Sequence, residues 1–216
     1  MTVQVSHWRT RDWLVARARG ERGAAIEYYD RAVVHPVEAG DRSRESTLRN
    51  TLGTLHWEGG DYEPARAEFE RALAICRDIQ DHVHSGLILN SLGATLSKLE
   101  YYEDARAVLE SAVTENATTG ERRLEAYSHA TLGDVLLALG RTSDARLAFE
   151  RSLAMRPPLG DRRGEGWMLQ RLARTLHAEN RKGEAIAAGE LALTIARELQ
   201  DDVLAREVGR TLAPLP

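Results

Sequence analysis

Residues 60–75 read GDYEPARAEFERALAI, and the same pattern returns at a fixed distance on both sides. The alanine at its centre, Ala65, has counterparts at Ala25, Ala105, Ala145 and Ala185, each 40 residues from the next. Around them the chain reads GERGAAIEYYDRAVV, EYYEDARAVLESAV, GRTSDARLAFERSLAM and NRKGEAIAAGELALTI. Two further markers keep the same period. Upstream lie Leu52-Gly53, Leu92-Gly93, Leu132-Gly133 and Leu172-Ala173, and seams fall at Gly40-Asp41, Gln80-Asp81, Gly120-Glu121, Gly160-Asp161 and Gln200-Asp201. Three markers holding one period identify a tandem repeat.

Each marker has a physical reason. The seam acid faces the positive end of a first helix, helix A, and can accept from its free N–H groups. Glycine before it suits the left-handed turn that ends the preceding helix. Helix A should run about 17 residues and stop, in phase, at Gly20, Gly60, Glu100, Gly140 and Asn180. Glycine and asparagine tolerate positive φ; Glu100 does not, so a differently built turn is expected there. A second helix, helix B, follows, with Pro64 in its first turn where a missing N–H is harmless. Leu89, Leu92, Leu96 and Leu99 in one helix A, and Ala65, Phe69, Ala72, Leu73 and Cys76 in one helix B, keep the spacing of a helical face. Alanine and glycine mark places where helices cross closely. No run of alternating β-branched residues argues for strands.

Composition bounds the function. With 43% apolar and 29% charged residues the chain suits a soluble protein. A net charge of −4 suggests no dominant duplex-binding surface, so no direct nucleic-acid contact is expected. Cys76 is the one cysteine, which precludes an internal disulfide. Met1 to Arg11 lacks the apolar core of a signal peptide, and no stretch approaches a membrane span, so a cytoplasmic location is expected.

These residues resemble the tetratricopeptide repeat. That family places a small residue after a leucine in helix A, then alanine, an aromatic and alanine in helix B, then proline. Leu52-Gly53, Ala65, Phe69 and Ala72 supply the pattern in one copy, and Leu132-Gly133, Ala145, Phe149, Ser152 and Pro157 in another. The resemblance covers roughly residues 12 to 200. It implies an all-α fold, a right-handed α-solenoid of antiparallel helix pairs. The chain then divides as a single solenoid, 1–216: a degenerate N-terminal repeat at 1–40, repeats at 41–80, 81–120, 121–160 and 161–200, and a capping helix at 201–213. Two features depart from the pattern: the period exceeds the usual 34 residues, and Asp12-Trp13 replaces Leu-Gly in the first copy. The long period looks most like the repeat arrays of bacterial regulators.

No catalytic constellation stands out: there is no phosphate-binding loop, nucleophile elbow or zinc-protease helix. No enzyme activity, cofactor or metal is therefore expected. His82 and His84 point apart on a helix and read as solvated or seam-packing residues rather than ligands. His56 stands where Leu96, Leu136 and Leu176 recur, and reads as a tolerated near-core histidine. Cys76 reads as an inert buried thiol. Arg66 with Glu70, Arg106 with Glu110 and Arg146 with Glu150 read as surface ion pairs, with an arginine ladder for a partner as the alternative.

In the family, helix A lines a concave groove. Carried over by phase, this implies a protein or peptide site at Asn50, Thr54 and Trp57, then Asn90 and Lys98, then Tyr127 and Asp134, then Trp167, Gln170, Arg171 and Arg174. Asn50, Asn90 and Gln170 share one position. Side-chain amides there suit an extended peptide backbone; they suit equally a structural ladder along the stack. The expected function is a non-catalytic protein- or peptide-binding scaffold in bacterial regulation. The alternative is a self-assembling solenoid associating end to end, or the C-terminal sensor piece of a larger transcriptional regulator.

Overall fold

The computed structural model describes residues 22–213. Among them are ten α-helices and no strand. The expected first helix A, with Asp12, Trp13 and Gly20, lies outside the described residues. The chain forms two compact units, one ending at Asp81 and one beginning at His82.

The first unit contains α1 (Arg22–Ala39), α2 (Arg42–Glu58) and α3 (Tyr62–Asp78). The second contains α4 (His82–Lys98), α5 (Tyr102–Thr119), α6 (Arg122–Ala138), α7 (Thr142–Met155), α8 (Arg162–Ala178), α9 (Lys182–Leu199) and α10 (Asp202–Leu212). Helices α2, α4, α6 and α8 are each 17 residues long and stand in the helix A phase. Within each unit, consecutive helices pack against one another.

Left-handed residues recur every 20 positions. Gly40, Gly60, Gln80, Glu100, Gly120, Gly140, Gly160, Asn180 and Gln200 all have φ between 53° and 82°. Glu100 corrects the expectation of a different turn: its φ is 64°, and Tyr101 N–H donates to the Leu96 carbonyl at 3.0 Å. Arg141 and Arg181 make the same bond to Leu136 and Leu176 at 2.8 and 2.9 Å. This closure satisfies an orphan carbonyl at the helix end, which outweighs the roughly 1 kcal/mol that a side chain adds in the left-handed region.

The seam acids cap as expected at three places. Asp41 accepts from Arg44 N–H at 3.1 Å, Asp161 from Gly164 at 3.0 Å and Asp201 from Leu204 at 3.0 Å. Glu121 makes no such bond.

The Leu-Gly marker is a notch. A Cβ on Gly53 would fall 2.6 Å from the Phe69 ring, one on Gly93 2.5 Å from Leu109, and one on Gly133 2.4 Å from the Phe149 ring. Leu109 and Phe149 are fully buried and Phe69 is nearly so. The glycine of helix A thus receives the large side chain of its own helix B. At the same phase the fifth copy has Ala173 on helix A and Gly189 on helix B. Gly189 is met instead by Leu212 of α10, 2.6 Å from where a Cβ would stand.

Candidate functional site

Helix A is held at a defined depth by its notch, and the expected ligand-facing positions lie on the face that runs beside it. In the first unit that face carries Asn50, Thr54 and Trp57. Asn50 is half-buried, and its Oδ1 is enclosed without a hydrogen-bond partner. Thr54 donates to the Asn50 carbonyl at 2.9 Å. Trp57 is exposed and meets the Tyr62 ring edge-on, with centroids 6.3 Å apart.

In the second unit the amides are engaged within the stack. Asn90 of α4 is only 2% exposed. The Ser128 hydroxyl of α6 lies 2.7 Å from its Oδ1 and 2.9 Å from the Leu124 carbonyl, and donates to one of them at a time. Asn116 of α5 donates to the same hydroxyl at 3.0 Å. Gln170 of α8 is 5% exposed and donates to Thr211 of α10 at 3.0 Å. Both side chains therefore join neighbouring helices, the second of the two readings left open for the amide row.

The other second-unit positions retain accessible surface. Tyr127 is 52% exposed, and Lys98 and Arg174 are exposed. Arg174 has no hydrogen-bond or ion-pair partner among the described residues. Trp167 is half-buried and leans on the core formed by Ala192, Ala196, Leu204 and Val208. Arg171 of α8 grips Asp134 of α6 in a forked pair: Nε lies 2.9 and 3.1 Å from the two carboxylate oxygens, and one terminal nitrogen 3.0 Å from Oδ2. That pair joins successive helix A faces, placing Tyr127, Asp134, Arg171 and Arg174 on one surface. The side chains of the pair are 27% and 37% exposed, so water screens part of the attraction.

The periodic arginines are occupied. Arg66 lies 3.7 Å from Glu70, Arg106 2.8 Å from Glu110 and Arg146 2.6 Å from Glu150. Arg146 also reaches Glu179, just past the end of α8, at 3.1 Å. His82 meets Glu115 at 2.6 Å on the surface. Cys76 is buried 3.0 Å from the Ser46 hydroxyl, and burial pushes its thiol pKa up, which keeps the nucleophilic thiolate scarce.

One feature lay outside the sequence expectations: a cleft in the second unit whose lining includes His129, Glu125 and Arg151. The signal for it is at position 129, where histidine replaces the leucine found at Leu89 and Leu169.

A family model described as the tetratricopeptide repeat matches residues 14–78, 44–114 and 85–157. No curated protein matches the sequence. Among solved structures, the apo form of RapI superposes with a TM-score of 0.88 at 16% identity, covering 94% of this chain and 74% of that one. A Rap protein complexed with competence and sporulation factor gives 0.75 at 15% identity, covering 91% of this chain and 55% of that one. Aspartyl phosphate phosphatase F from Bacillus subtilis gives 0.83 at 12% identity, covering 94% and 53%. At such identities the likeness is one of fold: all-α and of the helical-solenoid class. The matched segments span most of the sequence and include the notches at Gly53, Gly93 and Gly133, and the chain belongs to the tetratricopeptide repeat family.

Proposed function

We propose that the chain is a non-catalytic scaffold that holds a peptide or protein segment on the helix A face, in a cytoplasmic regulatory role of the bacterial kind. The observation that carries this is the surface around the Asp134–Arg171 pair. There an exposed tyrosine and an arginine with no partner among the described residues flank an ion pair between α6 and α8. Tyrosine offers a rigid apolar face with a polar tip. Arg174 favours a carboxylate, which it can bind bidentately. The ligand this face suits is an extended segment with an acidic residue next to an apolar one. Asn50, Thr54 and Trp57 extend the reading to the first unit, with Trp57 as the exposed aromatic. The fold likeness to a Rap protein crystallised with competence and sporulation factor supports the reading.

The test is selection of a displayed random-peptide library on the full chain, followed by fluorescence polarisation with the selected peptides. Selected peptides should be acidic. Tyr127→Ala and Arg174→Glu should each weaken them about tenfold or more, the scale of one lost anchor or charge-assisted bond. Peptides that bind both variants as tightly as the parent would refute the helix A face. Asn90→Ala is unsuitable here, because it deletes a buried side chain bonded to Ser128 and opens a hole in the core.

A further inference from the structure

The fourth copy breaks the period at several positions that converge in space. In two other copies an arginine opening helix A reaches an acid near the end of helix B: Arg42 to Asp78 at 2.9 Å and Arg162 to Glu198 at 2.8 Å. In the fourth, Arg122 opens helix A but Pro158 stands in place of the acid. Helix B is also short, with 14 residues in α7 against 17 in α3 and 18 in α5 and α9. Pro157 and Pro158 have no N–H to continue it, and the chain leaves through a 3-10 turn at Pro157–Leu159. The early exit leaves a cleft of about 640 Å³ beside α5, α6 and α7.

The cleft is apolar along Val113, Met155 and Leu159, and charged at Arg122, Glu125 and Arg151. Glu125 is buried and bound to Arg122 at 3.0 Å. Arg151 has no acidic partner among the described residues, so the site carries one unmatched positive charge. His129 lines the same cleft at 5% exposure, and its Nδ1 has no hydrogen-bond partner. A buried polar atom left unpaired is costly, so this ring gains from a hydrogen-bonding partner that enters the cleft. Burial and the nearby Arg151 hold the imidazole pKa below its ordinary value, against the smaller opposing effect of Glu125, so the ring is neutral and keeps one N–H to donate.

We propose that this cleft binds a small amphipathic carboxylate, its hydrocarbon body against Val113, Met155 and Leu159 and its carboxylate on Arg151 and the His129 imidazole. The unmatched charge selects an anion, the apolar wall selects a hydrocarbon tail, and the volume falls within the range of small-molecule pockets.

The experiment is calorimetric titration of the full chain with octanoate, with histidine imidazole resonances followed by NMR. Octanoate should bind once and shift the His129 resonances; acetate, octanol and octylamine should bind at least tenfold more weakly. Arg151→Gln should weaken octanoate about ten- to a hundredfold, the scale of a charge-assisted hydrogen bond. His129→Leu, which restores the residue of the neighbouring copies, should fold and weaken octanoate as well. Octanol binding as tightly as octanoate, insensitivity to Arg151→Gln, or no heat and no shift would overturn the proposal. Tyr127→Ala should leave octanoate binding unchanged, which separates this site from the helix A face; a loss there would also overturn it.

Discussion

Gly133→Ala tests the notch. The added methyl would stand 2.4, 2.6 and 2.8 Å from three atoms of the Phe149 ring. Phe149 is fully buried, so the ring cannot escape the added methyl by swinging into solvent. Overpacking of this kind costs up to about 3 kcal/mol. Alanine recovers about 1 kcal/mol over glycine in a helix interior. The difference is a net loss of about 2 kcal/mol. For a urea slope of about 2 kcal/mol/M, the midpoint falls by about 1 M. The assay is urea unfolding followed by far-UV circular dichroism. Gly209→Ala is the control, because a Cβ at Gly209 in α10 meets nothing within 4 Å. It should stabilise by up to about 1 kcal/mol. Phe149→Ala alone should cost about 3–5 kcal/mol. Combined with Gly133→Ala it should cost about 2–3 kcal/mol less than the sum, since the methyl then enters the vacated space. A Gly133→Ala variant as stable as the parent, or one that moves with Gly209→Ala in the same direction, would refute the notch.

Glu100→Gly should stabilise by about 0.5–1 kcal/mol, because glycine removes the left-handed strain at φ 64°; thermal unfolding measures it. His129→Leu should flatten the pH dependence of stability on the acid side. The folded-state pKa of His129 lies below its ordinary 6.5, so the unfolded chain binds the proton more readily. Its contribution is therefore intact above about pH 6.5 and is lost as pH falls through the folded value, a decline that the leucine variant should lack in urea titrations at stepped pH. Cys76 should resist a thiol-specific disulfide reagent in the native chain and react on unfolding, since burial both shields the thiol and raises its pKa; fast native labelling would contradict this.

The period carried most of the fold. Ala65 and its counterparts, the Leu-Gly pairs and the seams mark helix ends because close crossings and left-handed turns restrict residue choice at single positions. Glu100 was misjudged because residue preference is local, whereas its turn is set by the Tyr101–Leu96 bond and the helices on either side. The site was less legible. Phase gives the direction a side chain leaves its helix, not how deeply the next helix covers it. Asn90 and Tyr127 both occupy helix A positions, yet one is 2% and the other 52% exposed, because Ser128 and Asn116 close over Asn90. The cleft was harder still. It is built from departures at Pro158 and His129 beside Arg151, each unremarkable alone and linked only when α7 ends early.

The relocated notch makes the fifth copy a different kind of part from the others. Copies two to four each bring their own plug, the Phe69, Leu109 or Phe149 side chain, so any of them could be duplicated or transplanted with its fit intact. The fifth borrows its plug from the helix that follows, in Leu212. Moved elsewhere, it would bring an empty socket. Shortening the chain before Leu212 would therefore open a hole inside the fifth copy as well as baring its surface, and engineers extending the array should insert ahead of residue 161, not after 200.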